Sequence, residues 1–163
     1  MAYQKLQASR ALSVLPSDTI NIPSPSSLAF SSTATASSAL KLIDSAGDFI
    51  TRGVRIGDII YWGPAGARSE VSIVTAVDSA TQLSVDLAVG AARGYDLYAS
   101  PDSPNNGCVL YVGDIAAGAT MTIITAGGDE IAFAGLLAGS FIPVQTTRVK
   151  STGTLAARII ALW

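Results

Sequence analysis

Residues 108–163 read CVLYVGDIAAGATMTIITAGGDEIAFAGLLAGSFIPVQTTRVKSTGTLAARIIALW, a succession of short apolar runs broken by glycine-bearing turns. Cys108–Val112 is the first run. Thr120–Thr125 and Glu130–Ala134 flank Ala126-Gly127-Gly128-Asp129, and Gln145–Lys150 and Ala156–Trp163 flank Ser151-Thr152-Gly153-Thr154. Glycine supplies the positive φ that tight reversals require, so the spacing predicts paired β-hairpins running to Trp163. The stretch holds no nucleophile–base pair and no cluster of metal ligands.

Upstream, Val71, Ile73 and Val77 alternate with Ser72 and Ala76. After a turn at Asp78–Thr81, Leu83, Val85 and Leu87 alternate with Ser84 and Asp86. A period of two on both arms marks a hairpin with one buried face. Leu40–Ile43, Val54–Trp62 and Tyr95–Tyr98 complete a self-contained β-unit, with a helical or irregular corner at Asp48–Gly53. Two connectors bracket it: PSPSSLAFSSTATASS at 23–38, which permits an edge strand near Phe30–Thr35, and SPDSPNNG at 100–107. Arg10–Leu15 and Thr19–Ile22 read as further strand-like pieces. The chain is therefore expected to be all-β. A sandwich- or barrel-like domain from residues 1–27 plus 105–163 carries an inserted small β-barrel at 28–104.

Charged residues are only 13% of the 163, while apolar residues reach 49% and mean hydropathy is +0.44. A free monomer needs charge to cover its surface, so the deficit points to protein–protein assembly. Membrane insertion is not expected: the apolar stretch Ile131–Val144 is broken by Gly135, Gly139, Ser140 and Pro143 and falls short of a span. The N-terminal residues lack the continuous apolar core of a signal peptide. A net charge of −2 with no basic run gives nucleic-acid binding little support. Histidine is absent, which removes the commonest general base and metal ligand. The single cysteine, Cys108, cannot form an intramolecular disulfide and reads as a core residue. No cofactor, metal or catalytic residue is expected.

The carboxylate pairs Asp44/Asp48, Asp78/Asp86 and Asp129/Glu130 each fall at a predicted turn, where aspartate suits the local backbone. Arg148, Lys150 and Arg158 would share one hairpin as a small positive patch. Trp163 reads as an anchor at a domain or subunit boundary. Tyr3 and Leu6 offer apolar contacts on a polar N-terminal arm that orders on binding. These six residues are the candidate partner and subunit contacts.

Several elements then recur in order: Leu110–Gly113 (LYVG), Gly127–Asp129 (GGD), Gly139–Val144 (GSFIPV), Arg148–Thr154 (RVKSTGT) and Ile160–Trp163 (IALW). With them the C-terminal segment resembles a module of phage virion proteins that includes the head spike base protein of gene transfer agents. The opening MAYQKLQASRALSVLPSDTINIP looks like the start of structural proteins of marine and cyanobacterial tailed phages. The VRIGDIIY…VTAVDSATQLSV segment is similar to small β-barrels inserted in phage structural proteins. The resemblance implies no enzyme but a capsid decoration (cement) protein on the outer capsid surface. It would be a homotrimer bound to the major capsid protein. The alternative it implies is a base for a head spike or fibre at capsid vertices, one that could present a host-glycan-binding module.

Overall fold

The computed structural model describes residues 8–64, 67–100 and 107–163. Among them thirteen strands form, with one 3-10 turn at Pro25–Ser27 and no α-helix. In chain order they are β1 (Ala11–Ser13), β2 (Leu28–Thr33), β3 (Ala36–Ser38), β4 (Lys41–Ile43), β5 (Ile59–Gly63), β6 (Glu70–Ser79) and β7 (Gln82–Val85). Then come β8 (Gly94–Tyr98), β9 (Cys108–Ile115), β10 (Thr120–Thr125), β11 (Glu130–Ala134), β12 (Phe141–Val149) and β13 (Ala156–Leu162). The fold is all-β. The chain divides into two compact units, Met1–Pro25 with Ser103–Trp163, and Ser26–Asp102.

In the discontinuous unit an antiparallel sheet runs β1-β13-β9-β12-β10-β11. β9 alternates buried and half-buried residues along Cys108–Gly113, and pairs with β13 on one side and β12 on the other. Leu12, Ala161, Leu110 and Ile142 lie opposite one another across four strands, three of them in the core beside Val112, Met121, Ile123 and Ile159. β12 pairs with β9 through Phe141 and Ile142 and with β10 through Thr146–Val149, with a register shift in each ladder. Such irregularities bend a strand and let a sheet roll over its own apolar face. The segment after β1 then crosses the sheet: Val14 N–H donates to Ile159 O, Ser17 N–H to Val149 O and Ile22 N–H to Thr147 O. It buries Val14, Ile20 and Ile22.

Two expectations for this unit are corrected here. β12 and β13 do not form a hairpin, because β9 lies between them. Thr19–Ile22 is no strand, because Ser17 Oγ accepts the Thr19 and Ile20 amides in a local turn.

In the second unit the order is β2-β8-β5-β6-β7-β4-β3. The ten-residue β6 serves both halves, pairing with β5 through Glu70–Ile73 and with β7 through Val74–Ser79. Leu42, Phe49, Ile60, Val74, Leu83, Val85, Tyr95 and Leu97 fill its core. The expected strand at 54–62 starts only at Ile59. The corner at Asp48–Gly53 is one helical turn, closed by Val54 N–H on Phe49 O and Gly53 N–H on Ile50 O.

This sheet is open, so the inserted barrel does not close. Among the described residues β2 pairs only with β8 and β3 only with β4, although just Ala34 and Thr35 separate them in the chain. Among the described residues no ladder joins the two ends, and a polar clasp spans them instead. Asp44, directly after β4 and 1% exposed, accepts hydrogen bonds from Ser32 Oγ (2.6 Å) on β2 and Tyr95 Oη (2.7 Å) on β8. The Ala46 amide adds a third at 2.9 Å. Burial alone would raise the Asp44 carboxyl, but these donors and the charge of Arg52 hold it below its ordinary value. Burial and the adjacent carboxylate push the Tyr95 phenol up.

A fragment spanning 26–102 is expected to unfold cooperatively on its own, monitored by circular dichroism in urea. Within it, Tyr95→Phe leaves Asp44 short of a donor and lowers stability by about 1–3 kcal/mol. A fragment that shows no cooperative transition would contradict the autonomy of this unit.

Candidate interaction surface

Most carboxylates that could carry chemistry are engaged locally. Asp78 accepts from Lys41, Gln82 and Ser84, Asp86 from the Ile73 amide, and Asp58 from the amides of Arg55 and Ser100. Asp96 takes the Arg68 guanidinium at 2.7 and 3.0 Å. Cys108 is buried, its thiol donates to Thr146 O, and burial pushes it up to about 12. It stays a neutral thiol at ordinary pH. Among the described residues no three Cys, Asp or Glu side chains gather as a metal site, and no helix is long and apolar enough to cross a membrane.

Of the six candidate contacts, Tyr3 and Leu6 lie outside the described residues. Arg148 does not join a basic patch: its Nε donates to Asn21 Oδ1 (2.9 Å) and its Nη1 to Asp18 O (2.8 Å), holding the crossing segment. Lys150 pairs with Glu130 at 2.8 Å across β10. Arg158 stands on β13, beyond β9, at φ 52. In that conformation its carbonyl leans over Gly113, where a Cβ would meet it at 2.6 Å, so only glycine fits. Trp163 packs half-buried against its own unit's core. Its main chain is bonded to Arg10 and Ser9, and among the described residues its Nε1 finds no acceptor.

The sheet instead presents a second apolar face. Paired residues of an antiparallel ladder share a face. Ser13, Ile160, Tyr111 and Phe141 therefore form one row across β1, β13, β9 and β12, with Ala11, Leu162 and Val109 in the next. Neither row holds a charge. Phe141 is 60% exposed and its ring lies 5.2 Å from that of Tyr111. The alternation of β9 hid this face in the sequence, because Tyr111 and Val109 read as ordinary members of an apolar run.

Asp18 closes the loop after β12. It accepts from the Thr152 amide (3.0 Å) and from the hydroxyls of Ser151 and Thr152, both at 2.8 Å. No family model, curated protein or solved structure matches the chain.

The Thr152 amide, then the Ser151 and Thr152 hydroxyls and Lys150, lower the Asp18 carboxyl from 3.8 to about 2. A carboxylate depressed in the folded state stabilises above its unfolded value and loses that contribution as pH falls through the folded one. The urea midpoint of Asp18→Asn is expected below wild type at pH 5, with the gap closing as pH falls from about 4 to about 2. A pH-independent gap would contradict the charged bond.

Proposed function

We propose that the chain is a virion structural protein, a capsid decoration or cement protein. It binds the outer capsid surface and braces contacts between major capsid protein subunits. The observation that carries this reading is the pair of uncharged apolar rows on the reverse face of β1, β13, β9 and β12, centred on Ile160, Tyr111 and Phe141. A sheet buried on one face and apolar on the other is built to pack against a further layer of protein. The order of motifs in residues 108–163, which resembles phage virion modules, supports the same reading.

The action is mechanical, without catalysis or cofactor. A protein that binds only the assembled shell stabilises it by mass action, by about 2.7 kcal/mol at a free concentration of 100 times Kd. The second reading, a base for a head spike, draws on the Ser26–Asp102 unit with its own core and the exposed Leu40, Ile50 and Ile56. Copy number separates the two: hundreds per particle for cement, a number tied to the vertices for a spike base.

Phe141→Glu places a charge in the reverse face at a position already open to solvent. Retention on purified capsids, measured by co-sedimentation, is expected to fall about ten-fold or more with an unchanged melting temperature. Undiminished retention would remove this face as the attachment surface.

A further inference from the structure

The outer strand β11 carries a second feature, independent of the reverse face. Among the described residues it pairs only with β10, and no strand borders its other edge. Ile131 and Phe133 lie opposite Ile123 and Met121, both fully buried, and so turn toward the core. Glu130, Ala132 and Ala134 take the opposite face. The Thr125 amide donates to Asp129 O, which fixes the hydrogen-bonding phase of the ladder. With a period of two, Ile131 and Phe133 direct their N–H and C=O groups to β10, and those of Glu130, Ala132 and Ala134 point outward.

Edge strands are ordinarily guarded by lysine, proline, a bulge or a covering loop. β11 has none of these side chains, its ladder with β10 is regular, and no charged residue occurs between Glu130 and Arg148. Ile131 is 39% exposed although it faces the core side.

We infer that β11 pairs antiparallel with β11 of a second copy of this chain, about a two-fold axis at Ala132. The outward-pointing trio is symmetric about that residue. Ala132 meets Ala132, and Glu130 meets Ala134 of the second copy, each pair exchanging both backbone hydrogen bonds. On the core face Ile131 meets Phe133, which extends the apolar layer from one copy to the other. Other axes fail on this sequence. An axis at Glu130 sets two carboxylates together, and one at Ile131 sets Phe133 against Asp129. Axes at Phe133 or Ala134 run the pairing past Gly135, where φ is 72 and the chain has left the extended conformation. The contact is isologous and closed, a two-fold association where the resemblance implies a three-fold one.

Light scattering on the full chain at tens of micromolar is expected to give twice the chain mass. Ala132→Pro removes an outward N–H without touching the β10 ladder, and Ala132→Lys places two ammonium groups at the axis. Both are expected to weaken self-association at least ten-fold. Paired Cα atoms at about 5.5 Å suit a disulfide. Ala132→Cys should therefore cross-link to a dimer on mild oxidation, while Ala134→Cys, facing Glu130, should not. A monomer, a trimer, a dimer indifferent to both Ala132 substitutions, or equal cross-linking at 132 and 134 would each overturn the proposal. If Ala132→Pro fails to fold, Ala132→Lys and the cysteine pair decide. Capsid retention by the Phe141 face stands or falls separately.

Discussion

The two-sided pairing of β9 governs the discontinuous unit. A strand hydrogen-bonded on both edges takes its neighbours from wherever the chain can supply them, and here they are β12 and β13, consecutive in sequence. With β9 between them, the loop from 150 to 155 cannot be a tight turn and runs across the start of β10. Thr122 N–H donates to Thr154 Oγ1, Leu155 N–H to Thr120 O, and Thr120 Oγ1 to Gly153 O. Gly153, at φ 81, passes so close that a Cβ would meet Thr122 Oγ1 at 2.7 Å. The crossing segment after β1 depends on the same arrangement, since its hydrogen bonds fall on β12 and β13.

Once the sheet rolls, its two faces meet different fates. The rows through Leu110 and Val112 close into a core; those through Tyr111 and Val109 stay on the outside. On the β12-β10-β11 side the outer surface carries Arg148, Lys150 and Glu130, each bonded within the unit. On β13 and β9 the exposed charges, Arg158 and Asp114, lie toward one end of the strands, away from the rows through Tyr111 and Val109. That segregation accounts for a chain with so little charge having an extended uncharged patch.

Much of this was legible beforehand. Period-two alternation marked β6 and β7, an apolar run marked β9, and the Gly127-Gly128 turn marked the hairpin at β10–β11. The passages between units fall within the stretches 23–38 and 100–107, although β2 and β3 occupy most of the first. Local sequence does not record which strand lies between two others. The β12–β13 hairpin, and the basic patch drawn on it, therefore failed together. Asp44 was legible as a turn residue, as its bond to the Ala46 amide shows. Its partners Ser32 and Tyr95 are distant in the chain, and nothing local betrays a carboxylate buried between sheet ends. The proline and serine of 16–17 could have warned against a strand at Thr19–Ile22.

The Ser26–Asp102 unit begins and finishes on neighbouring strands. Leu28 lies opposite Tyr98, and Ala99 N–H donates to Ser27 O at 2.8 Å. Its entry and exit are therefore held about one inter-strand spacing apart by its own ladder. To the host chain such a module is equivalent to a surface loop with its ends already fixed, and the entropy of holding them together is borne by the module. A different module with ends held at the same spacing could therefore stand at this junction and leave the host sheet's strand order untouched.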